Sequence, residues 1–143
     1  MGAGEGSAVV SSELETYFEA YIRLTLPMPP SGNTRNVGTG RNTRHSAKYE
    51  AFLKWVMRAC AEGQVEELTG PVVSHVAIYY HPSHEPDCDN VLKTVHDALQ
   101  GWAYPDDALI VAGSYEKNPD KHNPRVEVVI AQIRTVLERE TQS

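Results

Sequence analysis

Pro71-Val-Val-Ser-His-Val-Ala-Ile-Tyr-Tyr-His81, Pro82-Ser-His-Glu-Pro86 and Asp87-Cys-Asp-Asn-Val-Leu-Lys-Thr-Val-His-Asp-Ala-Leu-Gln-Gly101 follow one another without a break. The first is rich in Val, Ile and Tyr and reads as a strand, and the second is a polar turn. In the third, Val91, Leu92, Val95, Ala98 and Leu99 recur at helical spacing, which predicts a helix over roughly 89–100 with Gly101 at its stop position. Upstream, Tyr49, Phe52, Leu53, Val56, Met57 and Cys60 mark one face of a helix over about 46–62, capped by Ser46 and ended by Gly63. Trp55 is expected in the core with that face. Ile22, Leu24 and Leu26 alternate with Arg23 and Thr25, the period of a half-buried strand, and Pro27, Pro29 and Pro30 end it. From Ser31 to His45 the chain is polar and rich in Gly, Asn, Thr and Arg, so it reads as an exposed loop.

Two further strands are expected at about 108–117 and 125–133, joined as a hairpin by Asn118–Pro124. The order βαβαββ predicts a single α+β domain, a mixed sheet with two helices, over residues 20–134. Residues 1–19 are expected to be a disordered N-terminal extension and 135–143 a C-terminal tail.

A chain of 143 residues can build a hydrophobic core without disulfides. Cys60 and Cys88 have no paired spacing, no secretory leader precedes them, and no apolar run reaches the roughly 18 residues of a membrane span, so a cytoplasmic location is expected. The net charge of −6 argues at first against nucleic acid, but its distribution is uneven. Residues 21–60 carry seven bases and one acid, while 61–143 carry six bases and fourteen acids. A basic block beside an acidic half is compatible with DNA binding, because a bound cation would offset acids that serve as its ligands.

Asp87-x-Asp89-Asn90-x-x-Lys93 and the pair Asp106-Asp107 supply four acids and a lysine within about twenty residues. Capping of the second helix would account for one aspartate, and turn chemistry for the Asp106-Asp107 pair. Neither demands the joint pattern. A hard cation such as Mg²⁺ takes a few carboxylates and keeps positions for waters and phosphate oxygens, so Asp87, Asp89 and Asp107 suit it, with Asp106 as a further ligand candidate. Lys93 would then neutralise charge on a pentavalent transition state, its bland alternative being an i,i+4 pair with Asp89 or Asp97. The spacing is not that of an EF-hand, since Val91 and Leu92 stand where an oxygen ligand and a glycine belong. His81, His84 and Cys88 lack an obvious fourth partner for zinc. His75, His96 and His122 read as surface or satisfied structural residues, and Trp102 and Tyr104 as either core or base contacts.

Asp87-x-Asp89-Asn90-x-x-Lys93, then Asp97-Ala98-Leu99, then Asp106-Asp107 before an apolar strand, resembles the RusA family of Holliday junction resolvases. Leu26-Pro27-x-Pro29-Pro30-Ser31-x-Asn33, followed by a basic loop and by Ser46 and Tyr49 opening a helix, is similar to the family's start, so the likeness runs over roughly 21–133. The resemblance implies a homodimeric, bacterial or phage-encoded endodeoxyribonuclease. It would use Mg²⁺, with Mn²⁺ as a substitute, to resolve four-way junctions by paired symmetric nicks that leave 5′-phosphate ends, in recombination and repair. It carries the essential acids onto Asp87, Asp89 and Asp107 and the catalytic lysine onto Lys93. The best-known members have an arginine-rich run before the first aspartate, whereas this chain reads His81-Pro-Ser-His-Glu-Pro86. DNA contact then falls to Arg35, Arg41, Arg44 and Lys48, with Lys54 and Arg58 behind them. Two alternatives stand beside this reading: a nuclease of the same fold acting on flaps or forks, and a non-catalytic DNA-binding protein.

Overall fold

The computed structural model describes residues 8–10, 15–31, 36–37 and 44–135. Helix α1, Ala47–Glu62, starts where the Ser46 side chain accepts a hydrogen bond from the Tyr49 backbone N–H at 3.2 Å, and it ends at Gly63. Its buried line is Tyr49, Phe52, Val56 and Cys60. Met57 and Trp55, expected to be buried, are 48% and 53% exposed, and Leu53 is half-buried. Adjacent helical residues point about 100° apart, so positions one step from the contact line turn off it. Trp55 instead stacks under the Arg58 guanidinium, 5.3 Å from its ring centre.

Helix α2, Cys88–Leu99, buries Val91, Thr94, Val95, Ala98 and Leu99, and Asp87 caps its start. Gly101, just beyond its end, has φ +91°, a conformation that only glycine adopts without strain.

Both helices rest on one mixed sheet. Strand β1 (Ala8–Val10) pairs with β2 (Glu15–Leu26), and β2 runs antiparallel to β7 (Arg125–Thr135) with Ile22 opposite Ile130. Strand β5 (Val72–Tyr80) lies antiparallel to β7 on one side and parallel to β6 (Ile110–Pro119) on the other. The order across the sheet is therefore β1-β2-β7-β5-β6. The expected succession βαβαββ is that of β2, α1, β5, α2, β6 and β7. Strand β1 and the first residues of β2 fall within the stretch 1–19 that the sequence reading set apart. The stretch read as a loop holds a two-residue ladder of β3 (Asn36–Val37) and β4 (Arg44–His45).

The expected hairpin is corrected as well. β6 and β7 do not form a hairpin, because β5 sits between them. Two sheet spacings are roughly 10 Å, within the span of the five residues 120–124 that join the strands. The Asp120 N–H donates to the Tyr80 carbonyl at 2.7 Å, fastening the connection to the end of β5 as it passes. Asp120 also accepts from the N–H groups of His122 and Asn123 and pairs with Arg125 at 3.0 Å, so the crossing is held from within.

Alternation sorts the sheet's side chains. Ile22, Leu24 and Leu26, Val126, Val128 and Ile130, and Val72, Val76 and Ile78 form one core with the buried lines of α1 and α2. Tyr21, Arg23 and Thr25 point the other way and are exposed. Tyr104 is fully buried and donates to the His96 carbonyl at 2.7 Å, whereas Trp102 is 39% exposed.

Thr94 is fully buried on α2, and among the described residues its hydroxyl has no hydrogen-bond partner. A buried hydroxyl without a partner costs on the order of 1–3 kcal/mol. Thr94→Val keeps the shape and removes the orphan group, so it should raise unfolding stability by about 1 kcal/mol in a urea titration with an unchanged slope.

Candidate active site

The acidic motif opens α2. Asp87 is the residue before the first turn, and one of its oxygens accepts the Asp89 N–H at 3.0 Å. Capping thus occupies one oxygen of Asp87 and leaves the Asp89 carboxylate outside that bond. Both aspartates are exposed. Interaction with Cys88, which lies between them, raises the pKa of the Tyr115 phenol on β6, with the negative charge of Asp89 contributing less.

Lys93 lies one turn further and is 71% exposed. Its ammonium stands 3.7 Å from Asp97, the i,i+4 partner, and not beside Asp89. An exposed pair of this kind contributes tenths of a kcal/mol, so the lysine can leave it at little cost.

Asp106 and Asp107 sit at the other end of the same helix. Asp106 accepts from the Ala108 N–H at 2.9 Å and starts a 3₁₀ turn, Asp107–Leu109, that leads into β6. The Asp107 N–H donates to the side chain of Gln100, the residue ending α2, at 3.0 Å. The helix rise from Asp89 to Gln100 is roughly 16 Å, so the two acidic groups occupy opposite ends of α2. Among the described residues, no three of His, Cys, Asp and Glu gather closely enough to hold an ion. That applies to the aspartates and equally to His81, His84 and Cys88.

Beneath the helix lies a polar pair the sequence reading left as structural. His96 Nε2 is 2.8 Å from the hydroxyl of buried Ser74 on β5. Burial lowers the His96 pKa, and the charges of Asp107 and Asp97 oppose that shift with smaller effect. Burial likewise raises the phenol of Tyr104, the same two aspartates adding to it. Gln100, which the sequence reading missed as a holder of Asp107, was legible in principle: it stands eleven residues after Asp89, on the helix face that also carries Lys93 and His96.

Of the expected DNA contacts, Arg35 and Arg41 lie outside the described residues, and Arg44 is in β4. Lys48, Lys54 and Arg58 are exposed along α1.

Residues 27–131 match the family model described as endodeoxyribonuclease RusA. The matched span takes in both ends of α2 and every aspartate above. The chain is also 29% identical to an uncharacterized protein, YqaN, of Bacillus subtilis (strain 168), over 78% of this chain and 96% of that relative.

The buried imidazole sets a pH dependence. His96 favours its neutral form in the fold, so below the ordinary value of about 6.5 the unfolded chain binds more protons and stability is lost as pH falls; above it this contribution is complete. Urea titrations at pH 7.5 and 5.5 should show the loss, and His96→Gln should flatten it.

Proposed function

We propose a function from one premise: the chain belongs to the endodeoxyribonuclease RusA family. It is a Mg²⁺-dependent, structure-specific nuclease that resolves four-way DNA junctions by paired symmetric nicks leaving 5′-phosphates, in recombination and repair. The observation that carries this reading is the pair of exposed carboxylates, Asp87 and Asp89, at the start of α2 in the motif Asp-x-Asp-Asn-x-x-Lys. A helix cap alone needs one of them. The cell setting is the cytoplasm of a bacterium or one infected by phage; no helix among the described residues is long and apolar enough to cross a membrane.

A single chain offers two of the three acids at one place. Completion by a second copy is supported by the surface beside them. Among the described strands β6 is the outermost on its side, seven of its ten residues are exposed, and Val111 and Tyr115 leave apolar area uncovered. An unpaired edge next to uncovered apolar side chains is a place where a second chain gains by docking. A twofold arrangement that set two such helices antiparallel would place Asp107 of the partner subunit near Asp87 and Asp89. The same symmetry supplies two sites for paired nicks.

Asp87, Asp89 and Asp107 of the partner subunit are hard oxygen donors suited to Mg²⁺, which when bound makes water a stronger nucleophile at neutral pH. Lys93, whose pair with Asp97 is loose and exposed, can turn to the phosphate and offset the charge that builds on it. Gln100 fixes the backbone that presents Asp107. Lys48, Lys54 and Arg58 supply phosphate contacts along α1.

Asp87→Asn, Asp89→Asn and Asp107→Asn should each stay folded and bind a junction in Ca²⁺, yet lose at least a hundredfold in nicking rate with Mg²⁺; Lys93→Ala should lose rate with metal affinity largely kept. Variants that cut at the parental rate would remove these residues from the chemistry. Mixing Asp87→Asn with Asp107→Asn chains separates the shared site from a self-contained one: heterodimers keep one intact shared site and recover nicking, whereas self-contained sites stay dead. Cutting of junction, flap and duplex substrates in parallel assigns the preferred branch. Lys48→Ala with Arg58→Ala should reduce the log–log salt slope of junction binding by about two.

A further inference from the structure

The loop joining β5 to α2 closes one side of a cavity of about 670 Å³ that opens beside Asp87. Met28, Pro29 and Pro30, where the chain leaves β2, line it together with Tyr80 and Pro124. His81, His84 and Asn90 bring polar atoms, and Glu85 and Asp87 are also part of the lining. We propose that this cavity receives one unstacked nucleobase of the strand being cut, so that base identity helps to choose the nick position. The inference rests on the nuclease reading and adds a base-reading subsite to it.

Four observations favour this occupant. The volume is within the range of small-molecule pockets, roughly 300–1,000 Å³, and takes a base with its sugar. Prolines, a methionine and an aromatic ring offer flat apolar surface, which suits any base face. The charge lining the cavity is wrong for phosphate. Glu85 is paired with Lys117 at 2.6 Å, and Asp87 has no such partner among the described residues, so an anion is disfavoured there and a neutral base is not. Asp87 belongs both to the cavity and to the candidate active site, so a base held here leaves its own phosphate beside the carboxylates.

The polar rim is prearranged. His81 Nδ1 accepts the Ser83 N–H at 3.1 Å and lies 2.7 Å from the Ser83 hydroxyl, which is also 2.9 Å from His84 Nδ1. An accepting Nδ1 places the neutral His81 proton on Nε2. The hydroxyl that donates to His81 then accepts from His84 Nδ1–H, which leaves His84 Nε2 an acceptor. One shared serine thus gives the two rings opposite hydrogen-bonding sense, a donor and an acceptor, as reading of a base edge requires. The turn itself is closed by the His84 N–H on the His81 carbonyl at 2.8 Å.

An abasic scan tests this without cutting. Four-way junctions lacking a single base at successive positions around the branch are titrated with the full chain in Ca²⁺. The parent protein should lose about tenfold in affinity at one position and little elsewhere, the loss expected for a base that stacks on protein. Pro124→Trp, which fills the cavity, should show a flat scan, and Met28→Trp serves as a second filler if the first does not melt cooperatively. A flat scan for the parent, or a peak that both folded fillers retain, overturns the proposal. In Mg²⁺, the fillers should nick junctions of permuted sequence with less than twofold preference, where the parent discriminates tenfold or more. A parent that shows the affinity peak yet nicks no branched DNA would sink the nuclease reading and leave the base site standing.

Discussion

Everything in this domain is built against β5. Among the described strands it is the one hydrogen-bonded antiparallel on one side and parallel on the other, and its inward residues Val72, Ser74, Val76 and Ile78 are all nearly or fully buried. A parallel neighbour cannot be reached by a tight turn and needs a long crossover, and α2 is that crossover. Because the strand must run up, the helix back and β6 up again, one end of α2 stands by the exit of β5 and the other by the entrance of β6. The place of every acid follows from that path: Asp87 and Asp89 at the first junction, Asp106 and Asp107 at the second.

The two helices and the four longer strands were legible because each carries its own period. Alternation in Ile22–Leu26 and the three-to-four spacing of Val91, Val95 and Leu99 are local facts, and local facts survive folding. Ser46 and Gly63 marked the ends of α1 by the same logic. Partnership was not legible. β6 and β7 are near in sequence and were read as a hairpin, but nothing in either strand states that β5 will come between them. Trp55 shows the complementary limit. Its size argued for the core, and its angular position on the helix, one step off the contact line, decided otherwise.

The site was legible as chemistry and not as geometry. Asp-x-Asp with Asn90 and Lys93 could be seen to exceed the needs of a cap, since only one oxygen of Asp87 caps the helix. Asp107 was grouped with them as a residue of a second loop, and the structure shows that α2, a helix of 12 residues, separates the two loops. Lys93 was equally placed to meet Asp89 or Asp97, and the downstream partner won. The polar pair of Ser74 and His96 escaped notice because its members are on different elements and neither has a motif.

The pairing of β2 with β7 has a temporal side. Ile22 meets Ile130 across more than a hundred residues, so the first long strand of the sheet is partnered by the last. During synthesis β2, α1, β5, α2 and β6 emerge before β7 exists to fill the gap between β2 and β5. Until then both of those strands present unpaired edges and the apolar faces of Ile22, Leu24 and Leu26 lack their neighbours. Contacts of such sequence separation are slow to form, and open edges invite other chains while they wait. Closure of the sheet therefore waits on β7, the last of its described strands, and until then the β2 edge is open to pairing by another chain.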